Sequence, residues 1–151
     1  MKHVLIASDH AGVLLKAEVI THLHAHNYEC CDLGTHTADS VDYPDFAHAL
    51  CDILGRNPGS VGILICGTGI GMSIVANRYS DVRCAVAVTP EMASMARQHN
   101  DANIVALGAR LIDTDTAISI VDAFLGTKFE GGRHDARLQK IDLSIGFATT
   151  R

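Results

Sequence analysis

An open, largely parallel α/β sheet in a single domain is the fold this sequence predicts. Three observations carry that reading. Short β-rich runs alternate with longer helical patterns from end to end, and apolar residues make up 48% of the chain. One run, Val61–Cys66, is almost continuously apolar, as a strand covered on both faces must be. No linker or low-complexity stretch interrupts the 151 residues, so residues 1–151 read as one unit able to bury a sizeable core.

The elements follow in order. His3–Ser8 reads as the first strand. Ala11–Ala25 reads as a helix, with Val13, Leu14, Ala17, Ile20 and Leu23 near helical spacing. Tyr28–Leu33 is a second strand closed by Gly34, and Pro44 suits the first turn of a helix running to Leu54. Gly55–Ser60 is a loop before the strand Val61–Cys66. The glycine-rich Gly67–Gly71 leads into a helix from Met72 to Tyr79. Arg83–Val88 is a strand, Glu91–Gln98 a helix started by Pro90, and Ile104–Leu107 a short strand. Thr114–Leu125 and Asp135–Ile145 are the last helices. Right-handed crossovers through such a series give a Rossmann-like sheet with helices on both faces.

Composition excludes several functions. Seventeen acidic against twelve basic residues give a formal charge of -5, whereas nonspecific nucleic-acid binding needs a basic surface. Aromatics are 5% with no Trp, which leaves few platforms for stacking single-stranded bases. The apolar run Val4–Ala7 is too short for a signal or membrane segment. Five cysteines, odd in number and without CxxC spacing, indicate reduced thiols and a cytoplasmic protein.

Ligands of such sheets bind beyond the carboxyl ends of the strands, which singles out Ser8-Asp9-His10, Asp42-Tyr43 and Cys66–Gly71. Gly67-Thr68-Gly69-Ile70-Gly71 can gather backbone N–H groups at a helix start, where an anion or developing oxyanion is stabilised. It is neither a Walker loop nor GxGxxG, and a plain tight turn is the other reading. Asp9 can serve a site or cap a helix. Cys66, ahead of the glycine loop, can act as thiolate nucleophile or proton acceptor, while Cys30, Cys31, Cys51 and Cys84 read as packing thiols.

Gln98-His99-Asn100-Asp101 holds an imidazole, an amide and a carboxylate, suited to acid–base work or to a polar helix cap with Asn100 leaving the helix. Arg133 and Arg137, one turn apart, can clamp a phosphate or line a solvated face. His22, His24 and His26 offer no third ligand at metal spacing and read as an exposed helix end.

Together these residues resemble the B-type ribose-5-phosphate isomerases, relatives of the galactose-6-phosphate isomerase subunits. The resemblance covers essentially the whole chain. It rests on Asp9-His10-Ala11-Gly12, Asp42-Tyr43-Pro44, Ile65–Gly71, Arg97–Asp101, Asn103 and Glu130-Gly131-Gly132-Arg133-His134. It implies interconversion of D-ribose 5-phosphate and D-ribulose 5-phosphate through a cis-enediolate, in the non-oxidative pentose phosphate pathway, without metal or cofactor. In that resemblance Cys66 is the base, and His99, assisted by Asp9, opens the furanose ring. Thr68, Asn100 and the amides of Gly67, Thr68, Gly69, Ile70 and Gly71 hold the enediolate oxygens. His10, Arg133 and Arg137 match phosphate ligands, and Arg110 a further substrate contact.

The resemblance also implies a homodimer, or a dimer of dimers, with sites at the subunit interface. The His-Asn-Asp and Gly-Gly-Arg-His patterns favour a pentose over a hexose phosphate, with allose 6-phosphate as the alternative. A silent phosphosugar- or nucleotide-binding regulator would need the clamp but not Cys66 and His99. A thiol phosphatase would need arginine where Met72 stands.

Overall fold

The apolar run Val61–Cys66 becomes the centre of the sheet in the computed structural model, which describes residues 3–141, with all six of its residues buried. The strands are β1 (His3–Ser8), β2 (Glu29–Asp32), β3 (Val61–Cys66), β4 (Cys84–Val86) and β5 (Ile104–Gly108). They pair in parallel in the order β2-β1-β3-β5-β4. Helices α1 (Val13–Ala25), α2 (Tyr43–Arg56), α3 (Ile70–Ala76) and α4 (Pro90–Asn100) make the crossovers, and α5 (Thr114–Gly126), after the last strand, joins them in covering the sheet. A short α6 (Asp135–Ile141) follows them.

Strand order dictates the layers. Connections that step one way across the sheet lie on one face, and those that step back lie on the other, because each crossover is right-handed. On one face α1, α4 and α5 bury Val19, Ala93, Ile120 and Phe124 against Val4, Ile6, Ile63 and Val105. On the other, α2 and α3 bury Leu50, Cys51 and Met72 against Leu5, Leu64 and Ala106. Alternate residues of β3 therefore feed two separate cores, which holds its carboxyl end in a fixed place.

Element ends differ from the sequence reading for local reasons. The first helix starts at Val13, because the Asp9 carboxylate takes the Ala11 and Gly12 N–H groups into a 3-10 turn over His10–Gly12. A side chain at Gly12 would meet the Ile65 carbonyl at 2.8 Å, so the turn lies directly on β3. The helix after the glycine loop runs over Ile70–Ala76 rather than Met72–Tyr79. It stops at Asn77, whose side-chain amide pairs with both backbone groups of Cys84. That pairing partly blunts the exposed edge of β4. Arg83 lies outside β4 because its N–H goes to the Asn103 side chain. Asn100 is still helical, and Asp101, at φ 42°, makes the left-handed exit. Residues 142–145 of the last predicted helix lie outside the described residues.

One buried cation braces the loop after β2. Lys16, 3% exposed, donates to Asp32 and to the Thr35 carbonyl, at 2.7 Å for the latter. Asp32 also accepts the Gly34 N–H at 3.0 Å, so one carboxylate joins α1 to this turn. Lys16→Met keeps the apolar stem and strands a carboxylate in a largely enclosed place. It should cost about 2–4 kcal/mol in urea unfolding, less than a fully enclosed pair because Asp32 retains some water. A loss under about 0.5 kcal/mol would make the ion pair incidental to stability.

Candidate active site

Where β3 ends, the chain is stitched to β5. The Cys66 carbonyl accepts the Ala109 N–H at 2.8 Å, and the Gly67 carbonyl accepts the Arg110 N–H at 3.0 Å. The glycine loop can then turn only by reversing its backbone at Gly69, φ 77°. A side chain there would also press on the β5 backbone at 3.1 Å, so position 69 needs glycine twice over. The reversal aims the Gly69 N–H back at the Cys66 sulfur, 3.1 Å away. The Ile70 N–H reaches the Thr68 hydroxyl at 3.3 Å. Of the loop amides predicted to hold an oxyanion, these two are thus already engaged within the loop.

Cys66 is buried, and its sulfur accepts a backbone N–H, an arrangement that stabilises negative charge on sulfur. Burial pushes the Cys30 thiol up to about 11 and the Cys51 thiol up to about 12, and it raises that of Cys84 as well. All five cysteines are free.

Around Cys66 the same rim carries Asp9, His10, Arg110 and Tyr43. Asp9 is held by its own N–H to the Ile65 carbonyl at 3.1 Å, and its carboxylate caps the 3-10 turn, so the capping reading holds for this residue. The His10 Nδ1 accepts the Val41 N–H at 3.2 Å, which leaves the ring proton on Nε2 as a donor. The Arg110 guanidinium crosses Gly67, and the Tyr43 ring occupies the space a side chain at Gly71 would need. Tyr43 carries no role in the sequence reading. Its signals there are its place in the Asp42-Tyr43 segment beyond the second strand and in the Asp42-Tyr43-Pro44 motif.

His99, Asn100, Arg133 and Arg137 are elsewhere. α4 starts beyond the carboxyl end of β4 and runs back, so its last turn lies at the rim where the strands begin. There the Asn103 carbonyl accepts the Gly62 N–H at 2.8 Å. Cys66 is paired with Gly108, and Ile104 lies four residues down β5, roughly 13 Å away along the strand. His99 precedes that point. A single chain therefore does not bring His99 and Cys66 together.

The second cluster is rigid in its own right. Arg83 and Arg97 both pair with Asp101 at 3.0 Å, and Arg83 also donates to the Asn100 carbonyl at 3.0 Å. The Gln98 carbonyl accepts the Glu130 N–H, which anchors the 130–134 segment against the end of α4. His134 stacks on His99 with ring centroids 4.7 Å apart and planes 15° from parallel, a contact no sequence pattern announces. Burial first, then the charges of His99, Arg133 and Arg137, hold the His134 imidazole below its usual range, against the pull of Glu130.

Among the described residues, His99, Glu130 and His134 form the group whose ligand atoms lie mutually within 4.8 Å. An imidazole holds a metal in its ring plane, and two near-parallel stacked planes are poorly disposed to share one ion. Arg133 beside His134, Nε to Nε2 3.5 Å, adds a like charge. In the helix end at His22–His26, His22 pairs with Asp122 at 2.7 Å, and the His26 ring hydrogen-bonds the His22 carbonyl. Among the described residues no helix is long and apolar enough to cross a membrane.

The comparisons agree with one another. The Ribose/Galactose Isomerase family model matches residues 4–141. Ribose-5-phosphate isomerase B of Escherichia coli is 41% identical over 141 residues, covering 93% of this chain and 95% of that protein. The crystal structure of a ribose 5-phosphate isomerase from Thermotoga maritima matches with a TM-score of 0.91 at 49% identity, over 93% of this chain and 97% of that one. Ribose-5-phosphate isomerase B from Mycoplasma genitalium, solved with bound ribulose-5-phosphate, matches with a TM-score of 0.90 at 42% identity, over 93% of each chain. With its parallel sheet, its glycine loop behind Cys66 and a family match across nearly all of its length, the chain belongs to the ribose/galactose isomerase family.

Proposed function

We propose that this protein interconverts D-ribose 5-phosphate and D-ribulose 5-phosphate in the cytoplasm, within the non-oxidative pentose phosphate pathway. The observation that carries the reading is the Cys66 sulfur, fixed at the end of a buried strand and facing the Gly69 N–H. Moving a proton between adjacent carbons of a sugar needs a base, a trap for the enediolate oxygens and a proton donor. It leaves no net electron to be carried elsewhere.

The Cys66 thiolate takes the C2 proton of the open-chain aldose, and the C2–H pair moves into the C1–C2 bond as the carbonyl becomes an enediolate oxygen. The O2 proton passes to O1, and returning the carbon-bound proton to C1 while C2–O2 becomes the carbonyl gives the ketose. Thr68, Asn100 and the glycine-loop amides hold the two oxygens. Closing on the enediolate, the Gly69 N–H is shared between sulfur and substrate. His99, assisted by Asp9, opens the ring by protonating its oxygen. His10 and Arg110 reach the substrate from the Cys66 rim, while Arg133 and Arg137 clamp the phosphate, whose binding energy positions the reacting carbons.

Because His99 and Cys66 lie at opposite rims of one chain, we infer a homodimer in which each site joins the Cys66 rim of one copy to the His99 cluster of the other. Exposed Ile70 and Ile74 on α3, which begins at the glycine loop, give such a contact an apolar centre.

Cys66→Ala should lower kcat for ribose 5-phosphate by about 100-fold or more, with KM nearly unchanged, in a coupled assay without added metal. Allose 6-phosphate run in parallel tests the hexose alternative, since a higher kcat/KM for it would change the substrate and keep the mechanism. Unchanged pentose turnover in Cys66→Ala would remove the thiol base.

Mixing inactive Cys66→Ala and His99→Ala chains by co-refolding provides a second test. A shared site predicts recovery of about a quarter of wild-type activity, because half the dimers are mixed and each holds one intact site. No recovery, with mixed dimers verified by mass spectrometry, would place each site within one chain.

A further inference from the structure

His134 is the one buried titratable ring in the second cluster that the proposed mechanism leaves unused. It is 4% exposed, and the groups facing it are His99 from α4 and Arg133, Arg137 and Glu130 from its own segment. The Arg133 Nε–H faces the His134 Nε2 at 3.5 Å, with the Glu130 carboxylate 3.8 Å from the same nitrogen. Its face lies flat under His99, with the ring centroids 4.7 Å apart. Two imidazoles this close are not both cationic, since like charges at contact disfavour double ionisation. Burial and two neighbouring guanidinium groups decide which ring gives way.

We propose that His134 is a positioning residue for ring opening: it stays neutral, fixes the His99 ring plane by stacking, and leaves the working proton to His99. The neutral π-face also supports an imidazolium above it, as aromatic faces support cations. The same ring touches Arg133, so the group that opens the sugar ring and a group that clamps the phosphate share one rigid support. This rests on the reading of His99 as the ring-opening acid.

The test separates ring opening from proton transfer. Ribulose 5-phosphate has its O5 phosphorylated and cannot close a furanose ring. Exchange of its C1 proton with ²H₂O therefore needs Cys66 and the oxyanion trap but no ring opening. His134→Ala should lower ribose 5-phosphate turnover by about 10- to 100-fold, more in kcat than in KM, while C1 exchange stays within about threefold of wild type. His134→Phe, which restores a flat ring, should recover most of the loss. His134→Gln, which restores only an acceptor for Arg133, should not. The Phe variant carries the test if the Ala variant fails to fold.

His99→Ala is the comparator and should show the same split, only larger. If His99→Ala loses exchange and turnover equally, the ring-opening reading falls and takes the proposal with it. If His99→Ala shows the split and the His134 variants do not, the proposal alone is overturned. Rescue by Gln and not by Phe would also overturn it, because the hydrogen bond rather than the stacked face would then be what matters.

Discussion

The parallel direction of the strands is the constraint on which the rest of this molecule depends. Every strand ends at one rim, and every crossover helix must carry the chain back to the other. Cys66 stands at the first rim because it ends β3, and His99 stands at the second because it ends α4. No loop rearrangement within this fold can bring both to one substrate without unpairing β5. A site using both residues draws on two copies, which is why the proposed mechanism requires a homodimer.

Within each half, rigidity comes from backbone bonds more than from side chains. The Cys66 sulfur is aimed by three features: a strand buried on both faces, the β5 stitching at Ala109 and Arg110, and a left-handed glycine. The His99 half is held by Asp101, which leaves its helix with positive φ and bridges two arginines. In the proposed mechanism both devices keep the reacting groups from relaxing toward other contacts, and such preorganisation lowers the reorganisation needed at the transition state.

Much of this was legible in the sequence, for identifiable reasons. Val61–Cys66 announces a doubly covered strand by its unbroken apolar run, and the three glycines after it announce a backbone that must reverse. The strand-end rule then brings Asp9, His10 and Cys66 to one rim. Helix ends were less legible, since they depend on single long-range bonds. Asn77 leaves its helix to pair with Cys84, a partner seven residues on that no periodicity reveals. The stacking of His134 on His99 joins two segments through the Glu130–Gln98 backbone bond, so it is a tertiary fact. The separation of Cys66 from His99 follows from the parallel sheet itself, because one residue ends a strand and the other lies in the last turn of a crossover helix.

A crystal structure of the protein with ribulose 5-phosphate bound tests the central claim most directly. The account predicts a ligand whose C1 and C2 lie about 3–3.5 Å from the Cys66 sulfur of one copy, the near-attack distance for proton transfer. His99 and the arginine pair should reach the same ligand from the other copy. A ligand contacted by only one chain, or one whose reacting carbons lie away from the Cys66 sulfur, would contradict it.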